Sequence, residues 1–216
     1  MPKLIDENII QLEFADLWRR VILDRPATPA PRAAGYHLSG VLAPIARHIG
    51  VLKKDEPLEE EMPNMIALGI MWEEFAASFY PDLIWQPGAV SVQTGGRELW
   101  MTCDGLSTLS TPFGGHFGKH AVQGREFKLT RKYVRKGEEF LKEWLWMHQA
   151  RGYGYGYDCL LWQWDVMHIY GGDKEFGHGP VYKQYVVEFT PQECEQTIRM
   201  VGKHLHLAQP EPGIAA

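Results

Sequence analysis

The stretch Val122–Leu129 reads as a β-strand, and its centre, Glu126-Phe127-Lys128, restricts what can surround it. Successive strand side chains point to opposite faces, so Glu126 and Lys128 share one face and Phe127 takes the other. One face thus carries a carboxylate and an ammonium two residues apart. The opposite face carries a large apolar ring. A Glu-x-Lys triplet by itself also occurs on solvated strand faces, so its neighbours decide its meaning.

Asp104 ends the preceding predicted strand, Glu98–Cys103, and can bring a second carboxylate. Two carboxylates beside a lysine make a hard-oxygen site for Mg²⁺, with a cation left to hold a water or a phosphate. Between Gly105 and Gly137 the only acidic residue is Glu126, while Lys119, Arg125, Lys128, Arg131, Lys132, Arg135 and Lys136 are basic. Acidic residues gather elsewhere, at Asp55, Glu56 and Glu59–Glu61. A net charge of −5 argues against nucleic-acid binding over the whole surface. A basic segment centred on a carboxylate-bearing strand suits a phosphate backbone. A solvated loop before a helix is the competing reading.

The chain has 216 residues, enough for one substantial domain. It is 45% hydrophobic and 23% charged, as soluble globular proteins are. No stretch approaches the roughly 18 apolar residues of a membrane helix, so no membrane association is expected. The start lacks an apolar signal core, and Cys103, Cys159 and Cys194 show no close pairing. Both features suit a cytoplasmic protein.

Residues 6–23 read as an amphipathic helix, followed by a proline-rich connector to Pro31. Ser39 can cap a helix to about His48, and Pro63 fits the first turn of a helix ending near Tyr80. Strands are expected at Ile84–Val92 and Glu98–Cys103, joined through Gly95-Gly96, then at Val122–Leu129. A helix over Glu138–Tyr153 precedes strands at Cys159–Tyr170 and Val181–Phe189. Thr190 can cap a last helix with Glu193 in the box position, and the tail from Gln209 reads as frayed. This order predicts a mixed α/β domain. The expected divisions are an N-terminal helix and connector at 1–35, a core at 36–206 and a flexible tail at 207–216.

Two helices interrupt apolar stripes with polar groups. Ile66, Ile70, Glu73 and Ala77 share a face, and Glu73 leans over Gly69, where bare backbone leaves room for an ion or phosphate. Leu141, Leu145, Gln149 and Tyr153 follow at four-residue steps, so Gln149 can orient water or a phosphate, or satisfy a backbone group. Tyr153 lies in a Gly-Tyr repeat that either stacks on unpaired bases or anchors a turn. His116-x-x-x-His120 has loose zinc spacing but no partner pair. Gly114-Gly115-His116-Phe117-Gly118 lacks the lysine-serine or helix start of a nucleotide loop.

The ordered set Gly69-x-x-x-Glu73, Cys103-Asp104-Gly105, Glu126-Phe127-Lys128 and Gln149-x-x-x-Tyr153 resembles the PD-(D/E)XK nuclease superfamily. The branch with the RecB nuclease domain and lambda-type phage exonucleases is the most similar. Tyr36–Leu42 resembles the His-x-Ser stretch opening the first core helix there. The resemblance spans about residues 36–189, with Cys103 standing where the name-giving proline would be. It implies a restriction-endonuclease-like core, a central mixed β-sheet flanked by helices. It implies a metal-dependent deoxyribonuclease, with a phage-type recombination exonuclease first and a structure-specific endonuclease second. Asp104, Glu126, the main-chain carbonyl of Phe127 and Glu73 would hold Mg²⁺, with Mn²⁺ as the alternative. Lys128 and Gln149 complete the catalytic set. Lys119, Arg125, Arg131, Lys132, Arg135, Lys136 and Tyr153 would contact DNA. A single-strand annealing protein and a homo-oligomer are the partners the analogy suggests. A DNA-binding module without cleavage, or an unrelated α/β scaffold, are the competing classes.

Overall fold

A computed structural model of the chain describes residues 3–10, 34–54, 63–108, 122–132, 136–173 and 177–212. In chain order these form β1 (Lys3–Ile10), β2 (Tyr36–His37), α1 (Leu38–His48), α2 (Pro63–Ala77), β3 (Leu83–Trp85), β4 (Val90–Thr94) and β5 (Arg97–Met101). Then follow β6 (Gly105–Thr108), β7 (Val122–Thr130), α3 (Gly137–Phe140), α4 (Trp144–Gly156), β8 (Leu161–Asp173), β9 (Gly177–Glu188) and α5 (Pro191–His204). The fold is α/β, with a six-stranded sheet in the order β1-β9-β8-β7-β6-β3 and a three-stranded sheet, β2-β5-β4. The large sheet is mixed. β7 and β8 run parallel, and every other neighbouring pair is antiparallel. A parallel pair needs a long crossover, and α3 and α4 lie within it.

Each face of the large sheet is covered by a different layer. Leu161–His168 of β8 are all buried, as a strand packed on both sides must be. On one face Trp162, Trp164, Val166, Tyr185 and Val187 pack with Leu38 and Ile45 of α1, Ala150 and Tyr153 of α4, and Ile198 and Val201 of α5. On the other, Trp72, Ala76 and Ala77 of α2 cover Phe127, Met167 and Tyr182. The alternation of Glu126, Phe127 and Lys128 therefore addresses two separate layers.

Several local signals act as expected. Gly95 and Gly96 turn the β4–β5 hairpin with φ of +56° and +72°. A Cβ at Gly95 would also run into the Gly202 carbonyl. Thr190 caps α5, with the reciprocal Glu193 bond of a capping box. Thr190→Ala should therefore cost about 1 kcal/mol in a denaturant titration; an unchanged midpoint would remove the cap from the account.

Other expectations need correction. Residues 6–10, read as the start of a helix, belong instead to the strand Lys3–Ile10, paired antiparallel with β9. An exposed sheet edge offers a full row of backbone partners, which outweighs a weak local helix preference. Residues 11–33 lie outside the described residues. The expected strand Ile84–Val92 divides at Gln86, whose φ is +46°, so β3 joins the large sheet and β4 the small one. The helix expected over Glu138–Tyr153 breaks between Phe140 and Trp144. Strand β6 was not foreseen. His37, not Ser39, occupies the cap position of α1, and its side chain makes no cap hydrogen bond to the helix. Within the tail segment, Glu211 exchanges two backbone hydrogen bonds with Gly35 at 3.0 and 2.7 Å, and residues 213–216 lie outside the described residues.

Candidate active site

β7 presents Glu126 and Lys128 toward the layer that contains α4. Lys128 Nζ lies 2.9 Å from Glu126 Oε2, and the Glu126 side chain is 1% exposed. Asp104 immediately precedes β6, and the register Gly105↔Arg125 sets it opposite Glu126. Asp104 Oδ2 accepts a 2.8 Å hydrogen bond from the Phe127 N–H, which locks the carboxylate onto β7. On its outer side the Gln86 N–H donates to the Asp104 carbonyl at 2.9 Å.

Glu126 is the unusual group. Neither of its buried oxygens has a hydrogen-bond partner of normal geometry. Burial first, and then the charge of Asp104, push its carboxyl up to about 8. The Lys128 ammonium and the Asp104 backbone act in the opposite sense and compensate only in part. Two carboxylates held together in a dry place are a deficit that a cation relieves.

α4 closes the site from above the sheet. Gln149 Nε2 donates to Tyr153 Oη at 2.8 Å. Tyr153 is buried, and burial followed by the Glu126 charge raises its phenol well above the ordinary value. Cys103 is buried too; desolvation, then Glu126 and Asp104, push its thiol up and keep it un-ionised. Asp104, Glu126, Lys128, Gln149 and Tyr153 thus form one cluster, with Cys103 as an apolar wall.

Glu73 lies on α2. The buried face of α2 runs through Met65, Trp72 and Ala76, and Glu73 flanks it, half-buried. That helix covers the Phe127 face of the sheet, opposite the layer that receives Glu126 and Lys128. Gly69 does leave open space around it, as its lack of a side chain suggested.

Among the described residues, no group of three or more His, Cys, Asp or Glu side chains is arranged to hold a metal ion. At β7 the Asp104 and Glu126 carboxyl groups lie beside the main chain of Phe127, whose N–H donates to Asp104. Mg²⁺ is commonly held by one or two carboxylates, with water and phosphate supplying the rest. The buried Glu126 carboxylate, raised in pKa beside Asp104, fits such an ion.

The basic residues divide. Arg125 was expected to follow a phosphate backbone and does not. It is 8% exposed, on the Phe127 face, with its guanidinium 3.7 Å from the Tyr80 ring centroid and 3.6 Å from Asp165. Arg131, Lys132 and Lys136 are exposed. Lys132 Nζ pairs with Glu143 at 3.3 Å. Lys119, Arg135 and the pair His116 and His120 lie outside the described residues.

The Arg125 network escaped the sequence reading. Asp165 is fully buried and accepts from Tyr80 Oη at 2.6 Å, from Gln184 Nε2 at 2.8 Å and from Tyr182 Oη. Its signal was present: Gln163 and Asp165 interrupt an apolar strand at the same two-residue spacing as Gln123 and Arg125.

No family model matches the chain, and no curated protein matches it. Its structure is similar to the crystal structure of SSO0001, with a TM-score of 0.51 at 9% identity, over 91% of this chain and 84% of that one. That likeness is one of fold. Among the described residues no helix is long and apolar enough to cross a membrane.

Proposed function

We propose that the chain is a divalent-cation-dependent deoxyribonuclease, working at the cluster on β7 and α4. The observation that carries this reading is Glu126, a buried carboxylate set between Asp104 and Lys128, with the Lys128 ammonium 2.9 Å from its Oε2. Asp104, Glu126 and the Phe127 carbonyl would hold Mg²⁺ or Mn²⁺. When bound, such an ion lowers the pKa of its water and offsets charge on a phosphate. Lys128 orients the attacking water or meets the charge that grows on the phosphate oxygens. Gln149, fixed by Tyr153, positions water or phosphate from the α4 side. Water attacks phosphorus, the bond to the leaving sugar oxygen breaks, and that oxygen takes up a proton. Positioning and charge stabilisation carry most of such a step.

The resemblance to the PD-(D/E)XK superfamily supports the same residues and favours an exonuclease of the phage recombination type. A structure-specific endonuclease is the second form. Glu73 belongs to the set by resemblance alone, because α2 covers the other face. DNA is the substrate, the setting cytoplasmic, and an annealing protein or further copies of the chain are the partners by analogy. A DNA-binding module without cleavage remains the non-enzymatic reading. Digestion of end-labelled DNA with and without Mg²⁺ tests the proposal, and cleavage is expected only with the ion.

Arg131 and Lys132 follow β7 directly and are exposed, so they suit backbone contacts. Arg131→Ala and Lys132→Ala should weaken DNA binding and flatten its dependence on salt, by about one unit of log–log slope per lost phosphate contact. Fluorescence anisotropy across a salt series reads this; an unchanged slope in both variants removes them from the DNA path.

A further inference from the structure

Away from β7, the C-terminal ends of α1 and α5 each carry a histidine. His48 ends α1 and His204 ends α5. Their ring centroids lie 5.6 Å apart, with planes inclined by 49°. His206, in the short turn Leu205–Leu207, sets its ring 6.3 Å from that of His204. His48 and His206 are exposed and His204 is half-buried. Nδ1 of His204 is covered and has no hydrogen-bond partner.

Two imidazoles on one tetrahedral ion, each at about 2.0–2.1 Å, bring their ring centroids to about 5 Å. The His48–His204 separation of 5.6 Å is close to that value. The orphaned Nδ1 is a lone pair or N–H that the protein leaves unused. Two helix C-termini add partial negative charge at the same place, which favours a cation. The opposing charges are Lys203, exposed beside His204, and Arg47 on α1. Partial burial, then Lys203, His48 and His206, hold the His204 imidazole below its ordinary pKa.

We propose that His48 and His204 form a two-histidine bridge for a transition-metal ion of the Zn²⁺, Ni²⁺ or Cu²⁺ class, tying α1 to α5. Water completes the coordination. Imidazole nitrogen selects such ions, whereas the carboxylate pair at β7 suits hard Mg²⁺ or Mn²⁺. This site stands independently of the nuclease reading.

The test uses the full chain carrying Asp104→Asn and Glu126→Gln, so that the carboxylate pair is silent, with Ni²⁺ alone as the probe. At pH 7.5 and about a hundredfold excess over Kd, Ni²⁺ should raise Tm by about 5 °C or more. Mg²⁺ should give no rise, since imidazole nitrogen is a poor ligand for that hard ion. Adding His48→Gln or His204→Gln should remove the Ni²⁺ rise; His48 is exposed, so that variant keeps its metal-free Tm. Absence of a Ni²⁺ shift in the parent, or a shift that His48→Gln leaves intact, overturns the proposal.

Discussion

Lys128→Ala should lower the rate of DNA cleavage by about a hundredfold or more, while the fold and DNA binding persist. The ammonium sits 2.9 Å from Glu126 Oε2, next to the place where a phosphate would meet the carboxylate pair. Removing one contact of this type, aimed at charge that develops in the transition state, typically costs about two to three orders of magnitude. Single-turnover digestion at saturating Mg²⁺ isolates that loss from substrate affinity. Asp104→Asn should act in the same direction. An asparagine oxygen can still accept the Phe127 N–H, so the deficit would report the lost charge rather than a lost strand contact. Wild-type cleavage by Lys128→Ala would take Lys128 out of the mechanism.

Without divalent ions, stability should fall as pH rises from about 6.5 to 8. The sign follows from Glu126, whose carboxyl is pushed up to about 8 from an ordinary 4.5. A raised folded-state pKa means the folded chain holds a proton that the unfolded chain has released. Stability from that proton is present below 4.5 and is lost as pH climbs through 8. His148 works in the opposite direction at lower pH. Burial first, and then Arg151, lower its pKa from 6.5 to about 4, with Nδ1 2.9 Å from Thr197 Oγ1. Its contribution is complete above 6.5 and is lost as pH falls toward 4. The two slopes oppose each other in acid, and Glu126 alone of the pair acts above 6.5. The loss between pH 6.5 and 8 is on the order of one or two kcal/mol. Urea titrations at several pH values should show that decline in the wild type and its loss in Glu126→Gln. Equal declines in both proteins would place the titration elsewhere.

How far these features were legible from the sequence depends on the distance over which each is decided. The phase of Glu126, Phe127 and Lys128 is a property of one strand, and the structure places them on the two faces that alternation requires. The Thr190–Glu193 box and the Gly95-Gly96 turn are equally local, and both are present. β1 is not local: Lys3–Ile10 becomes a strand because β9 leaves an edge open, nearly the whole chain away. Arg125 shows the same limit. Its fate depends on Tyr80, Asp165 and Gln184, which come from three other segments. Composition marked it as one more basic residue in a basic stretch, while the parallel pairing of β7 with β8 put Asp165 within reach. The stripe containing Glu73 was read one residue away from the buried line of Met65, Trp72 and Ala76. Which face of the sheet α2 would cover was not encoded in that helix alone.

The central claim is that the carboxylate pair on β7 cleaves DNA with the help of a divalent cation. Its most direct test is digestion of end-labelled duplex, single-stranded and branched DNA by the wild type and by Asp104→Asn, each with Mg²⁺ and with a chelator. Shortening of at least one substrate by the wild type with Mg²⁺, no shortening with the chelator, and a loss of about a hundredfold or more in Asp104→Asn are predicted. Intact DNA of all three kinds after prolonged incubation of folded wild-type protein with Mg²⁺ or Mn²⁺ would contradict the claim.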